Sequence, residues 1–467
     1  MLRRLAFFVV SLLFTSCAYL VPRPIANVPV THIAMFDGAG TLVDPSHNVD
    51  PDKHWLFRHY PEPKDPAGAR KAILDDMIAN APMVNGKRQL LLYIHGGMKF
   101  QVSSVENAAE LYKYMASRKA PVYPIFINWQ SSFFSTYWDH IAHIRQGQYW
   151  TGKGTILLVP LWVISDVVRA VGHAPLDAFY EIKTIYDGVK PAPFYDTIKT
   201  AGGKPLMYHG EDMRSTPRKA AGLAIETVTL PLKFVTAPLV DGFGTGAWDA
   251  MQHRTTALFQ SDHEFNEALP VVRDANGGLS IFLRELEGRI RKDGNPWSIT
   301  LVGHSMGAIV VNQIVARHPN LPIDRIVYLS AACSMEDYRS TIVPYLERHP
   351  HVTMHHLILE RHAEAREWNA YDVVPRGTLL IWTDNLLSKP ASVLERRTGR
   401  YTNLMRDIHS TPPSIVDRVT VLTFDGGPQL VKTQPQSHTG ASLVEFWREE
   451  CLVRQPGAGY PNDCMQP

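Results

Sequence analysis

The sequence predicts an α/β protein: a mostly parallel sheet with helices on both faces, interrupted by a large apolar insertion. Three observations predict it. In both outer portions of the chain, short aliphatic runs alternate with stretches of 3.6-residue periodicity, the pattern of parallel strands joined by crossover helices. That alternation stops between residues 131 and 270. Beyond the break, a strand pattern at 298–302 passes through Gly303-His304-Ser305-Met306-Gly307 directly into a helix pattern at 306–318.

The elements are ordered as follows along the chain. Residues 22–66 are rich in proline, histidine and aspartate and hold one strand pattern, 31–36. A helix pattern at 69–79 leads to a strand at 89–94, which ends in His95-Gly96-Gly97. A helix at 104–118 and a strand at 122–129 complete the first part. The insertion contains two unusually apolar stretches, 156–164 and 230–240, the second broken by Pro231 and Pro238. Both read as too short and too proline-interrupted to span a bilayer. Because the insertion falls between strands, it is expected to cap the C-terminal edge of the sheet, where open α/β sheets bind ligands. After a helix at 280–291 come the strand and helix around Ser305. Next are a strand at 323–330, a helix at 335–348, a strand at 352–359, a helix at 377–387, a strand at 419–424 and a final helix at 440–449. The organisation is thus 1–17 as a signal segment, 18–130 and 271–455 as the two parts of one core, 131–270 as the cap and 456–467 as a tail.

Composition sets limits on function. Of 467 residues, 45% are apolar and 20% charged, enough for a sizeable core, and the net charge of +2 offers no field for nucleic acid. Arg3 and Arg4 precede a short apolar run at 5–14 and then Thr15-Ser16-Cys17, a signal-peptide pattern. Two further cysteines, Cys451 and Cys464, lie close together and are suited to a disulfide in an oxidising compartment. Cys333 follows a strongly apolar strand and reads as a small core residue. No Cys/His spacing calls for a metal.

The chemistry centres on residues 303–307. A serine between a strand and a helix, flanked by glycines that leave room for a sharp turn, presents its hydroxyl above the sheet edge. The helix start adds free N–H groups and a positive dipole end. A serine hydroxyl needs a base. After the last strand the only histidine is His438, in Gln436-Ser-His-Thr-Gly440, whereas His409 precedes that strand. The carboxylate that orients the base should follow the strand ending near Leu359. Glu364 is the first choice and Asp372 the second, and either also fits a helix cap or a salt bridge. Two backbone N–H donors are needed for an oxyanion. Met306 supplies one and Gly97 the other, with His95 orienting the glycine loop.

Together, Gly303-His304-Ser305-Met306-Gly307, His95-Gly96-Gly97 and His438 resemble the α/β-hydrolase superfamily of serine esterases and lipases, over roughly residues 30–130 and 275–455. The resemblance implies attack by Ser305 on an acyl carbonyl, His438 as base, Gly97 and Met306 as oxyanion donors, and no metal or organic cofactor. The substrate it implies is an acyl ester or lipid. An acyltransferase with the same triad, a peptidase, and a non-catalytic surface lipoprotein are the competing readings. The N-terminal segment resembles a bacterial lipoprotein signal, although Phe14 departs from its usual Leu, Val or Ile. That resemblance implies lipid attachment at Cys17, with Ala18 favouring the outer membrane if the source is Gram-negative, and hence a membrane partner through an N-terminal anchor; the alternative is an ordinary secretory signal and a periplasmic or secreted protein. Oligomeric state is left open.

Overall fold

Side chains alternate faces along the strands and so build two cores at once. In the strand Lys87–Ile94, Leu90, Leu92 and Ile94 join one buried cluster, and Leu91 and Tyr93 join another on the opposite face. Burial on both faces is what a parallel sheet between helical layers demands. The computed structural model describes residues 29–46, 60–145, 148–149, 153–189, 207–208, 216–260, 276–367, 374–424, 437–452 and 463–465.

The chain enters through β1 (Ile33–Phe36) and β2 (Leu42–Val43), an antiparallel pair. Helix α1 (Pro66–Asn80) starts where the Asp65 side chain accepts the Gly68 N–H and Pro66 occupies the first turn. β3 (Met83–Val84) turns back through Asn85 and Gly86, both at positive φ, into β4 (Lys87–Ile94). Helix α2 (Gln101–Ser117) and β5 (Tyr123–Trp129) come next. The inserted segment comprises α3 (Phe133–Ala142), the hairpin of β6 (Ile144–Arg145) and β7 (Gln148–Tyr149), α4 (Val159–Val189) and α5 (Thr216–Ala257), which form the cap, and β8 (Met207–Tyr208), which joins the edge of the central sheet. The core resumes with α6 (Gly278–Asp293), β9 (Trp297–His304), α7 (Gly307–Arg317), β10 (Ile323–Leu329), β11 (Thr353–Leu359) and β12 (Val419–Phe424).

The sheet runs β2-β1-β5-β4-β9-β10-β11-β12-β8, with β3 added at the start of β4. Apart from the β1–β2 and β3–β4 pairs, all neighbours are parallel. The chain is therefore an α/β protein with a mostly parallel mixed sheet flanked by helices, as the alternation predicts. From β4 the chain steps outward to β5; from β9 it steps the other way through β10, β11 and β12. The order reverses between β4 and β9, the point at which crevices open in such sheets.

The cap differs from its sequence reading. The two apolar stretches belong to two long helices, α4 and α5, with Pro175 inside the first and Pro231 and Pro238 inside the second. Residues Ile156–Gly188 are long and apolar enough to cross a membrane by length and composition, which corrects the expectation that this stretch is too short. The apolar run stops short of Asp166, but the helix continues because Asp166 turns inward, where it accepts the Tyr137 hydroxyl at 2.8 Å. The cap lies against segments that follow the C-terminal ends of strands. Arg254 of α5 donates to the Gln130 carbonyl just beyond β5, and Arg361 just beyond β11 pairs with Asp187 of α4.

The predicted helix at 440–449 is a second correction. The chain forms two 3-10 turns there, Thr439–Leu443 and Glu449–Cys451. An α-helix cannot continue because Val444 pairs with Met465 and the Glu445 N–H donates to the Cys464 carbonyl. Cys451 and Cys464 form the expected disulfide, and Cys333 is buried and free. Closing a loop of this length stabilises by about 3 kcal/mol. The double variant Cys451→Ser/Cys464→Ser is expected to lose roughly that much in urea unfolding, and reduction of the wild type should reproduce the loss.

Candidate active site

β9 delivers Ser305 to the sheet's point of reversal. Ser305 sits at φ +52°, in the left-handed region that costs a side chain about 1 kcal/mol or more. Three backbone bonds hold it there. Its N–H donates to the Leu329 carbonyl at 2.9 Å, and its carbonyl accepts the Ala308 and Ala332 N–H groups at 3.1 and 2.9 Å. The turn also needs Gly307, because a methyl there would collide with the Ile94 carbonyl oxygen at the end of β4. The side chain is buried, and Ser305 Oγ has no hydrogen-bond partner among the described residues.

The glycine loop after β4 lies directly opposite. A methyl on Gly96 would come within 2.8 Å of Ser305 Cβ, so the loop passes the serine at backbone distance. His95 holds the loop by both ring nitrogens. Nδ1–H donates to the Gly96 carbonyl at 2.6 Å, and Nε2 accepts the Trp129 N–H at 3.0 Å. That pattern requires a neutral ring. Burial, with the charge of Lys99 adding to it, pushes the His95 pKa down to about 3. Gly97 packs against the Met306 side chain. No turn or loop hydrogen bond among the described residues uses the Gly97 or Met306 N–H. Both expected oxyanion donors thus have no turn or loop backbone acceptor among the described residues and lie on the two loops that meet at Ser305.

His438 reaches the site from its loop after β12, gripped by its backbone. Its N–H donates to Glu367 Oε2 at 2.8 Å, and its carbonyl accepts His304 Nε2–H at 3.2 Å. His304 precedes Ser305 in the chain, and its ring lies 5.4 Å from the His438 ring, centroid to centroid. Both nitrogens of the buried His438 ring lack partners among the described residues. Burial, reinforced by Lys99, lowers its pKa to about 4, so the imidazole is neutral at ordinary pH. The ring of His304 is likewise held well below the usual range by burial, then by His438 and Lys99.

The carboxylates are distributed otherwise than the sequence suggests. Glu364, in the short helix Arg361–Arg366, is buried with Oε1 accepting the Tyr401 N–H at 3.2 Å and Oε2 3.9 Å from Arg400. Burial outweighs those partners and raises its pKa to about 8. It is thus mostly protonated near neutrality and engaged with the helix Tyr401–Asp407 instead of with His438. Asp372 lies outside the described residues, as does Cys17. The carboxylate that touches the base loop is Glu367, whose pKa burial also raises. Sequence reasoning misses it because its only signal is a position eight residues beyond β11, between the two candidates Glu364 and Asp372. It misses His304 and Lys99 as well: neither occupies a defined position in the Gly-x-Ser-x-Gly or His-Gly-Gly pattern.

A cavity of about 540 Å³ adjoins the loop, lined among others by His95, Lys99, Asn128, Ser437 and Thr439. Ser305 is not in its wall. The cavity therefore flanks the base loop and not the serine itself.

Comparison with protein-family models, with curated proteins and with solved structures finds no match for this chain.

The two glutamates separate in a rate measurement. Glu364→Gln is expected to leave kcat of any Ser305-dependent reaction within about threefold, since the side chain meets Tyr401 and not the base. Glu367→Ala, which frees the His438 N–H, is expected to lower kcat by about tenfold or more, with Glu367→Gln recovering part of it through its remaining acceptor oxygen. Equal effects of Glu364→Gln and Glu367→Ala would contradict this assignment.

Proposed function

We propose that this chain is a serine hydrolase of the α/β-hydrolase type that cleaves carboxylic esters through an acyl-enzyme on Ser305. The observation that carries the reading is a strained, buried serine with an unpaired hydroxyl, facing a glycine loop at backbone distance and accompanied by an unpaired neutral histidine. Backbone strain of this kind persists where the turn it creates has a use. A buried hydroxyl and a buried imidazole left without partners each cost free energy, which a merely structural pair would avoid by bonding elsewhere.

The reading assigns the following chemistry, in which Ser305 and His438, not hydrogen-bonded to each other in this structure, come together on substrate binding. Ser305 Oγ attacks the ester carbonyl while His438 takes its proton. The tetrahedral oxyanion receives the N–H groups of Gly97 and Met306, aided by the positive end of α7. His438 then protonates the leaving alcohol, and a water repeats the sequence to release the acid. Lys99 adds positive potential near the developing anion and disfavours a second positive charge on His438. Glu367 and His304 act as positioning residues that fix the base loop from its two sides. An acyl-chain or lipid ester is the substrate class that suits the apolar cap.

Hydrolysis of p-nitrophenyl esters of increasing acyl length tests the reading. Ser305→Ala is expected to lose at least about a thousandfold in kcat while remaining folded; a variant that keeps its activity would refute the nucleophile. The pH profile of the wild type is a second readout. A depressed pKa keeps His438 in its basic form down to about pH 4, so the acid limb of kcat/KM should fall near pH 4 to 5 and not near 6.5.

Export as a lipoprotein through Cys17 belongs to the same reading and is carried by the sequence of residues 1–17. Radiolabelled palmitate should enter the wild-type chain expressed in a Gram-negative host and be absent from Cys17→Ser. Equal labelling would refute attachment at that residue.

A further inference from the structure

Helix α4 is built the wrong way round for water. Its acidic residues Asp166, Asp177, Glu181 and Asp187 are all buried. Its outer face instead carries Leu157 at its approach, then Leu161, Ile164, Val168, Val171 and Phe179, spaced three, four or eight residues apart along one side. Leu157 is 80% exposed, Val171 70% and Val168 65%. Ile225 and Val228 of α5 are also exposed. A surface helix in water shows the opposite arrangement, with its charges outward. An apolar strip of this extent exceeds the patches that soluble monomers tolerate.

The inner face is polar and tightly fastened. Glu181 pairs with the buried Lys233 of α5 at 3.8 Å, and His173 meets Asp241 of α5 at 2.7 Å. Lys389, from the core, bridges Asp177 and Asp241. The two helices approach at backbone distance, since a methyl on Gly242 would lie 2.7 Å from the Asp166 carbonyl oxygen and 2.9 Å from Ala170 Cβ. Small residues at the crossing, polar pairs between helices, and prolines inside both are the traits of helices that pack in lipid.

We propose that α4 and the adjoining part of α5 rest in the surface of a lipid bilayer, lying in its plane with the Leu161–Val168–Phe179 face among the acyl chains. In-plane docking, and not a span, follows from the fastening. Asp166 is tied to α3, Asp177 to Lys389 and Asp187 to Arg361, so α3 and the core together grip α4 along nearly its whole length. Standing the helix upright would break all three buried charge contacts, each costly to leave unpaired. A bilayer is favoured over a protein partner because the strip from Leu157 to Phe179 offers about 33 Å of apolar contact with almost no hydrogen-bonding groups, whereas protein interfaces interleave such groups. Stable membrane attachment by a lipid chain also takes a second signal. The cap supplies one to complement the anchor expected at Cys17. This inference rests on the cap alone and is independent of ester hydrolysis.

The test uses the full chain carrying Cys17→Ser, which removes lipid attachment. Its co-sedimentation with vesicles of phosphatidylcholine and phosphatidylglycerol is compared with that of the same chain carrying Leu161→Glu, Val168→Glu and Phe179→Glu. The parent is expected to bind and the triple variant to bind at least about tenfold more weakly, with turnover of soluble p-nitrophenyl acetate unchanged. A fluorophore on Val168→Cys should shift to the blue when vesicles are added, a readout that does not depend on the triple variant folding. Failure of the parent to bind vesicles, equal binding by the triple variant, or an unshifted fluorophore would each overturn the proposal. A discrete dimer in sedimentation that the triple variant abolishes, without vesicle binding, would overturn it in favour of a second copy of this chain. Absence of ester turnover in the parent would count against the hydrolase reading and leave the vesicle result standing.

Discussion

The parallel pairing of β4 with β9 is the constraint on which the site depends. Their register runs from Arg88 opposite Trp297 to Ile94 opposite Gly303, so the two strands end level with one another. The segments leaving the two strand ends are therefore forced side by side: His95-Gly96-Gly97 on one strand, Ser305-Met306-Gly307 on the other. The fit tolerates no added methyl at Gly96 or Gly307, because the first would meet Ser305 and the second the Ile94 carbonyl. A register slip of one residue would turn every side chain of β9 to the other face and carry Ser305 away from the loop. Sheet packing and the geometry of the proposed site are here one interaction.

His438, the proposed base, is held by a different means. No regular element carries His438. Its loop is pinned at the residue itself by Glu367 and His304, and further on by buried Glu445, which meets Arg118, Arg448 and the Tyr114 hydroxyl. The disulfide and the Val444–Met465 bridge secure the end of that segment. Backbone anchoring leaves both ring nitrogens unspent, which a side-chain anchor would not.

Much of this is legible in the sequence. The strands at 89–94, 122–129, 298–302 and 419–424 are readable because buried parallel strands are continuous aliphatic runs, and the elbow because its strand and helix patterns abut at Ser305. The disulfide is readable from the proximity of Cys451 and Cys464. The residues that grip the base are not, because Glu367 and His304 act through backbone atoms of a residue far away in the chain. Gly246-Ala-Trp-Asp249 has no assignment from sequence; the structure makes it packing, with Gly246 against the His140 ring and buried Trp248 beneath the Arg397 guanidinium. The long cap helices are hidden by their own charges. Asp166, Asp177 and Glu181 read as interruptions to an apolar segment, whereas their partners on α3, α5 and the core make them its inner seam.

The placement of the cap between β5 and β9 has a consequence for how the molecule comes into being. The glycine loop His95-Gly96-Gly97 is synthesised well before the serine it faces, with the whole cap between them. The site cannot form from neighbouring residues. It arises only when a long intervening segment has been closed and β9 has docked beside β4, a step whose entropic cost must be met before any contact rewards it. Partly made or partly folded chains therefore lack the proposed site, and turnover by the proposed hydrolase would double as a report that the central sheet is complete.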